Sequence, residues 1–366
     1  MITMNDFVRQ VGRLHDELQA AIQRVLASGW FILGEEVKAF EREFAAFVRT
    51  RHAVGVGNGM DAIQLALAAV GVGDGDEVIT TPFSAFATTL AVLKLGARPV
   101  FVDVDPRTYG VDLARVEGAI TPRTRALLPV HLYGQPLDLD ALSSLTRSRS
   151  LKLVNDAAQA HGARWRGKDI AEYGNATAYS FYPTKNLGCL GDGGAVATDD
   201  DDVAAQVRRM RDYGQERRYV HVDARGLNSR LDELQAAILR VKLTYLAADN
   251  RRRAAIATHY RDGLSGLPLT LPAEIDGAEP VHHLFVVRTP RRDALMTFLR
   301  ERDVQTLVHY PITIPSQPAM STLGHRIADF PGAERCAAEV LSLPIHAELT
   351  DGEVEKVVAA TRAFFA

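Results

Sequence analysis

The sequence predicts an α/β fold, in which a large domain with a mainly parallel, mixed sheet of seven strands flanked by helices precedes a smaller C-terminal α+β domain. Three observations carry this expectation. Through the first two thirds of the chain, short β-branched runs alternate with helical patterns, the rhythm of strands covered by helices on both faces. One long helical stretch then begins at Ser229. Beyond it the alternation stops, and one apolar run, a helix, a second run and a closing helix follow.

The expected strands, in order, are HAVGVG from His52, EVITT from Glu77, PVFVDV from Pro99, RALLPV from Arg125, LKLVND from Leu151, ATAYSFY from Ala176 and GGAVAT from Gly193. DAIQLALAAV after Asn58-Gly59, ATTLAVLKLG after Phe86 and LDLDALSSL before LKLVND have helical spacing. SRLDELQAAILRVKLTYLAADNRRRAAIATHYRDGL reads as one helix leaving the first domain, so the division is placed at residues 1–250 and 251–366. In the second unit, HHLFVVRTP, a helix from Arg291 to Arg302, VQTLVHY and a helix from Asp351 make the smaller α+β pattern. The Pro-, Ser- and Thr-rich loop from Pro311 to Pro331 is the expected flexible element. No internal repeat is present.

Composition narrows the function class. A chain of 366 residues with 47% hydrophobic and 24% charged residues has the make-up of a globular protein of two domains. Its formal net charge of -3, without long lysine and arginine runs, argues against nucleic acid or an anionic membrane as main partner. Only two cysteines, Cys189 and Cys336, occur, outside any CxxC spacing, so no metal site or disulfide framework is expected. That usage suits the cytoplasm. The charged N-terminal stretch lacks an apolar core, and no run approaches the ~18 apolar residues of a membrane span.

In a parallel sheet ligands gather at the carboxyl ends of strands, so the residues just past each strand are the candidates. GVGNGMDA turns from a strand into a helix, and free amides at such a start favour an anion, although a plain strand-to-helix turn uses the same glycines. It matches neither GxGxxG nor GxxxxGK[ST]. Asp156 closes an apolar strand in LKLVNDAAQAHG; it is either an N-cap or the partner of a buried cation, and His161 alone reads as a packing histidine. Lys185 lies beyond ATAYSFY among Pro183, Gly188, Gly191, Gly193 and Gly194, an odd setting for a surface lysine. A lysine, a strand-end carboxylate and a helix N-terminus on one sheet edge match the aldehyde, ring nitrogen and phosphate of pyridoxal 5'-phosphate. Phe86, just past EVITT, is placed to stack on the ring.

Ordered blocks through nearly the whole chain resemble the DegT/StrS-type nucleotide-sugar aminotransferases. They include SGWFILGEEVKAFE, GVGNGMDAIQLAL, GDEVITTPFSAFAT, LLPVHLYGQPLDLDAL, DAAQAHGA, SFYPTKNLG, LNSRLDELQAA and FPGAERCAAEVLSLPI. The resemblance implies the aspartate aminotransferase fold, fold type I, and a homodimer. It implies that Lys185 carries the cofactor as an internal aldimine, that Asp156 pairs with the pyridinium nitrogen, that Gln159 meets the phenolic oxygen and that Phe86 stacks. Ser180 and the amides of Gly59 and Met60 would hold the phosphate, with Asn228 reaching it from the neighbouring subunit. Substrate contacts would fall to Tyr182, Arg230, His309 and Tyr310, the last three entering from the partner chain.

Three positions depart from the family pattern. Met60 stands where threonine is common, Asn155 where glutamate often precedes the aspartate, and Pro315 where the YPIPPHLQ-like segment has histidine. The implied activity is amino transfer from an amino acid, with glutamate giving 2-oxoglutarate, to a dTDP- or UDP-linked keto sugar. GNGxDA and NSRLDELQAA resemble the enzymes acting at C-3 more than those acting at C-4. The rivals are a sugar dehydratase, which would have histidine for Lys185, an NAD-dependent nucleotide-sugar oxidoreductase, and a regulatory protein without catalysis.

Overall fold

The computed structural model describes residues 1–324 and 327–366. Seven strands form the central sheet: β1 (His52–Val56), β2 (Glu77–Thr80), β3 (Arg98–Phe101), β4 (Thr124–Leu127), β5 (Lys152–Asp156), β6 (Ala176–Ser180) and β7 (Gly194–Thr198). Their order is β1-β7-β6-β5-β4-β2-β3. Only β7 runs against its neighbours, pairing antiparallel with β1 and β6, while the other pairs are parallel. The sheet is therefore mixed and mainly parallel, and all seven strands coincide with the runs read from the sequence.

Strand alternation explains why both faces are dry. Val54, Val78, Ala126, Val154 and Val196 enter one apolar cluster, with Ile63 and Leu67 of the helix Gly59–Ala69 and Val203 and Val207 of the helix Asp201–Met210. Their neighbours Ala53, Ile79, Leu127, Leu153 and Ala195 face the other way, onto Phe40 and Phe44 of the helix Glu35–Phe47. Side chains buried on both faces produce the continuous apolar runs.

The long helix spans Glu233–Leu264, four residues later than its apolar pattern suggests. The residues from Ser229 to Asp232 are bonded elsewhere: the Ser229 hydroxyl accepts from the Gly57 amide at 3.0 Å, and Arg230 donates to Asp212 at 2.9 Å. Glu233, buried, accepts from the amides of Gly34, Glu36 and Val37 at 2.8, 3.0 and 2.9 Å, so this carboxylate caps the helix Glu35–Phe47.

A second core contains Ile256, Tyr260 and Leu264 from the end of that helix. It also holds the antiparallel pair β8 (Phe285–Arg288) and β9 (Val340–Leu343), with the helices Arg292–Arg300 and Asp351–Phe365. Leu246 packs in the first core, so the helix passes from one core to the other around the expected division at residue 250. The N-terminus departs from that division: Ile2 lies in the second core and bridges Val304. VQTLVHY forms no strand, because Val304 bridges Ile2 whereas Leu307 bridges Ser342. The Pro311–Pro331 loop includes residues 325 and 326, which lie outside the described residues. Near its start, Ile314 donates to the Pro82 carbonyl at 2.8 Å and Thr313 to Glu334 at 2.6 Å. Among the described residues, no helix is long and apolar enough to cross a membrane.

Candidate active site

Lys185 sits in the turn after β6, where its amide closes onto the Tyr182 carbonyl at 2.8 Å. The next residue ties this turn down: Asn186 Nδ2 donates to Asn250 Oδ1 at 2.8 Å and to the Val281 carbonyl at 2.9 Å. The lysine is half-buried. Burial depresses its amine to about 8, and the charge of Asp156 opposes that effect. A lysine of this kind has a substantial neutral fraction near neutral pH and can act as a nucleophile or a base.

Asp156, the last residue of β5, is 3% exposed. Its Oδ2 accepts from the Thr88 hydroxyl at 2.8 Å and its Oδ1 from the Ala158 amide at 3.1 Å. Burial raises its pKa, while those two donors and the Lys185 charge hold it down. The Asp156 backbone is fixed as well: its amide donates to the Pro129 carbonyl at 2.9 Å and its carbonyl accepts from the His131 amide at 3.0 Å, in the segment that follows β4. Three residues on, Gln159 is 5% exposed. Its Oε1 accepts from the Tyr133 amide at 2.7 Å, and its Nε2 donates to the Tyr310 hydroxyl at 3.2 Å.

The helix Gly59–Ala69 starts against the end of β6. Asn58 caps it, accepting from the Asp61 amide at 2.9 Å. Gly59 and Met60 are its first two residues, and such amides have no carbonyl within the helix to bond. A Cβ at Gly59 would stand 2.4 Å from the Ser180 Cβ, so glycine is what lets the helix start approach Ser180. The Met60 side chain packs against the sheet cluster, leaving the amide as that residue's polar contribution at the helix start. Phe86 opens the helix Phe86–Lys94, partly buried against the cluster of Phe83, Tyr133 and Tyr310.

The remaining candidates fall in two places. Tyr182 is exposed beside Lys185. Asn228 is exposed and bridges Asp212, while Arg230 pairs with Asp212 and lies 5.4 Å from the Tyr213 ring centre. His309 and Tyr310 correct the expectation that they enter from the partner chain. Tyr310 reaches Gln159 of its own chain, and the His309 carbonyl accepts from the Tyr133 hydroxyl of its own chain. Their segment packs across the site because β9 holds it: His309 Nδ1 lies 2.8 Å from the Ser342 hydroxyl. His161 is buried between the rings of Tyr179 and Phe181, in accord with a packing role, and burial lowers it to about 3. Asn155 precedes Asp156 in β5, and its side chain donates to the Tyr173 carbonyl at 2.9 Å. Pro315 is buried in its loop.

Sequence reasoning missed Thr88 and Tyr133. Thr88 had a legible signal, standing two residues after Phe86 beyond the same strand. Tyr133 meets Gln159 through its backbone amide, a contact that leaves no sequence signal. Taken together, a half-buried amine, a buried carboxylate and an open helix start suit a ligand with a carbonyl carbon, a basic nitrogen and a phosphate.

Comparison with known proteins bears on that chemistry. The profile of the DegT/DnrJ/EryC1/StrS aminotransferase family matches residues 13–362. The chain belongs to this family. As an aminotransferase it is 50% identical over 350 residues to the dTDP-3-amino-3,4,6-trideoxy-alpha-D-glucose transaminase of Streptomyces venezuelae, covering 95% of this chain and 92% of that one. It is 44% identical over 367 residues to a pleiotropic regulatory protein of Geobacillus stearothermophilus, covering 100% and 98%. Its fold superposes on the crystal structure of S. venezuelae DesV in complex with a ketimine intermediate. The TM-score is 0.97 at 48% identity, covering 99% of this aminotransferase and 98% of that chain.

Proposed function

We propose that this aminotransferase moves the amino group of an amino acid, glutamate being the expected donor, to C-3 of a dTDP- or UDP-linked 3-keto hexose, with pyridoxal 5'-phosphate as cofactor. The single observation that carries the chemistry is Lys185, an amine depressed to about 8 within the electrostatic reach of the buried Asp156. The 3-amino sugar named for the S. venezuelae relative supports the position of amination. Retention of Lys185 and Asp156 favours catalysis over a purely regulatory role.

Pyridoxal 5'-phosphate, when bound, supplies an electron sink for the bond broken at the carbon that loses or gains the amino group. Lys185 would hold it through Nζ, and the same amine would move the proton at that carbon. Asp156 would accept a charge-assisted hydrogen bond from the ring nitrogen and keep it protonated. Gln159 would donate to the phenolic oxygen and Phe86 would stack on the ring. Ser180 and the amides of Gly59 and Met60 would hold the phosphate.

The working unit is a homodimer of the cytoplasm, in which Asn228 and Arg230 serve the partner's site. The exposed Asn228 and the half-buried Arg230, which pairs with Asp212, stand together just ahead of the long helix, and this supports the reading. Tyr182, His309 and Tyr310 contact the sugar from the chain that holds Lys185. The test is a panel of dTDP- and UDP-linked 3-keto and 4-keto sugars incubated with enzyme and glutamate, following 2-oxoglutarate and locating the new amine by NMR. Amination at C-3 is expected. Turnover confined to 4-keto sugars, or none with any of them, contradicts the reading.

A further inference from the structure

Tyr133 stands where the two substrate-facing parts of the chain meet. Its backbone has φ 60° and ψ 8°, in the left-handed region that residues other than glycine seldom enter. This conformation turns its amide onto Gln159 Oε1 at 2.7 Å. With Oε1 occupied by a donor, the amide group of Gln159 has one orientation, and Nε2 points at the Tyr310 hydroxyl, 3.2 Å away. The Tyr133 side chain runs to the small domain, where its hydroxyl donates to the His309 carbonyl. Its ring is fixed edge-on against Tyr109, with centres 5.1 Å apart. The adjoining carbonyls carry the connection between domains as well: Val281 donates to Gly134 at 3.0 Å and Leu284 to Tyr133 at 3.4 Å.

We infer that Tyr133 is a positioning residue, which orients Gln159 with its amide and holds the His309–Tyr310 segment over the site with its hydroxyl. The inference rests on the proposed function for what the site binds. The division of labour within one residue makes it separable. Removing the hydroxyl leaves the amide on Gln159 untouched, so the cofactor side stays in place while the segment that meets the sugar loosens.

Tyr133→Phe tests this with two readouts. In the cofactor-free protein, backbone hydrogen exchange across residues 307–314 is expected to quicken about tenfold, the value of one hydrogen bond, while residues 157–162 exchange as before. In the loaded enzyme, KM for the keto sugar is expected to rise about tenfold with kcat and the visible absorption band unchanged. Tyr109→Phe, which alters the neighbouring ring but not the bond to His309, is expected to leave exchange in 307–314 at the wild-type rate. Unchanged exchange in Tyr133→Phe, or equal quickening in both variants, overturns the inference. Failure of the proposed function is distinguishable, because it would show as a wild-type protein that develops no visible band with pyridoxal phosphate, whatever the exchange result.

Discussion

The Thr88 hydroxyl donates to Asp156 Oδ2 across 2.8 Å, and both side chains are buried. Burial drives the Asp156 pKa up, and this bond is the largest effect opposing it. Thr88→Val therefore leaves a carboxylate that is harder to keep charged. Single-turnover rates with glutamate are expected to fall about 10-fold, with cofactor retained and global stability lowered by about 1 kcal/mol. A wild-type rate would remove Thr88 from the account.

Lys185 gives a pH dependence of definite sign. Its folded pKa of about 8 lies below its ordinary value, so between about pH 8 and 10.5 the unfolded chain binds more protons than the folded one. Stability of the cofactor-free enzyme should rise with pH through that window, relative to Lys185→Ala, and the burial cost should be fully present below it. Thermal melts of both proteins at matched pH measure the difference.

The same amine should combine with pyridoxal phosphate fastest when neutral, so the recombination rate is expected to climb with a midpoint near pH 8. Asp156→Asn removes a charge that raises the Lys185 pKa, so its midpoint should lie lower. Stopped-flow absorbance reads both. A midpoint that rises in Asp156→Asn contradicts the assigned electrostatics.

Gly59→Ala places a methyl 2.4 Å from the Ser180 Cβ. The helix start must retreat from β6, so cofactor affinity is expected to fall at least 10-fold and stability by roughly 1–3 kcal/mol. Equilibrium dialysis and denaturant unfolding measure the two effects. Ala68→Gly, in the same helix but remote from its start, controls for altered helix propensity.

Shared sites predict complementation. Lys185→Ala chains mixed and refolded with chains carrying Asn228→Ala and Arg230→Ala should form heterodimers with one intact site and recover up to about a quarter of wild-type activity, since random pairing makes about half the dimers mixed. Mixed dimers that form but stay inactive would confine Asn228 and Arg230 to surface roles.

The sheet was readable because strands buried on both faces leave long β-branched runs, and the seven strands fall on the seven runs. Element ends were less so. The head of the long helix is withheld by the partners of Ser229 and Arg230, Gly57 and Asp212, which lie outside the helix and leave no mark on its periodicity. Lys185 and Asp156 could be picked out because they stand at or just past the carboxyl ends of strands, whereas Gln159 came from the family resemblance. Tyr133 and the same-chain placement of Tyr310 could not, since they depend on how the small domain folds back over the large one.

The central claim is that Lys185 carries the cofactor. Borohydride reduction of enzyme loaded with pyridoxal phosphate, followed by peptide mapping, should place one reduced adduct on Lys185, and Lys185→Ala should lose the adduct, the visible band and at least 1,000-fold in turnover. An adduct on any other lysine, or turnover that survives in Lys185→Ala, would contradict it.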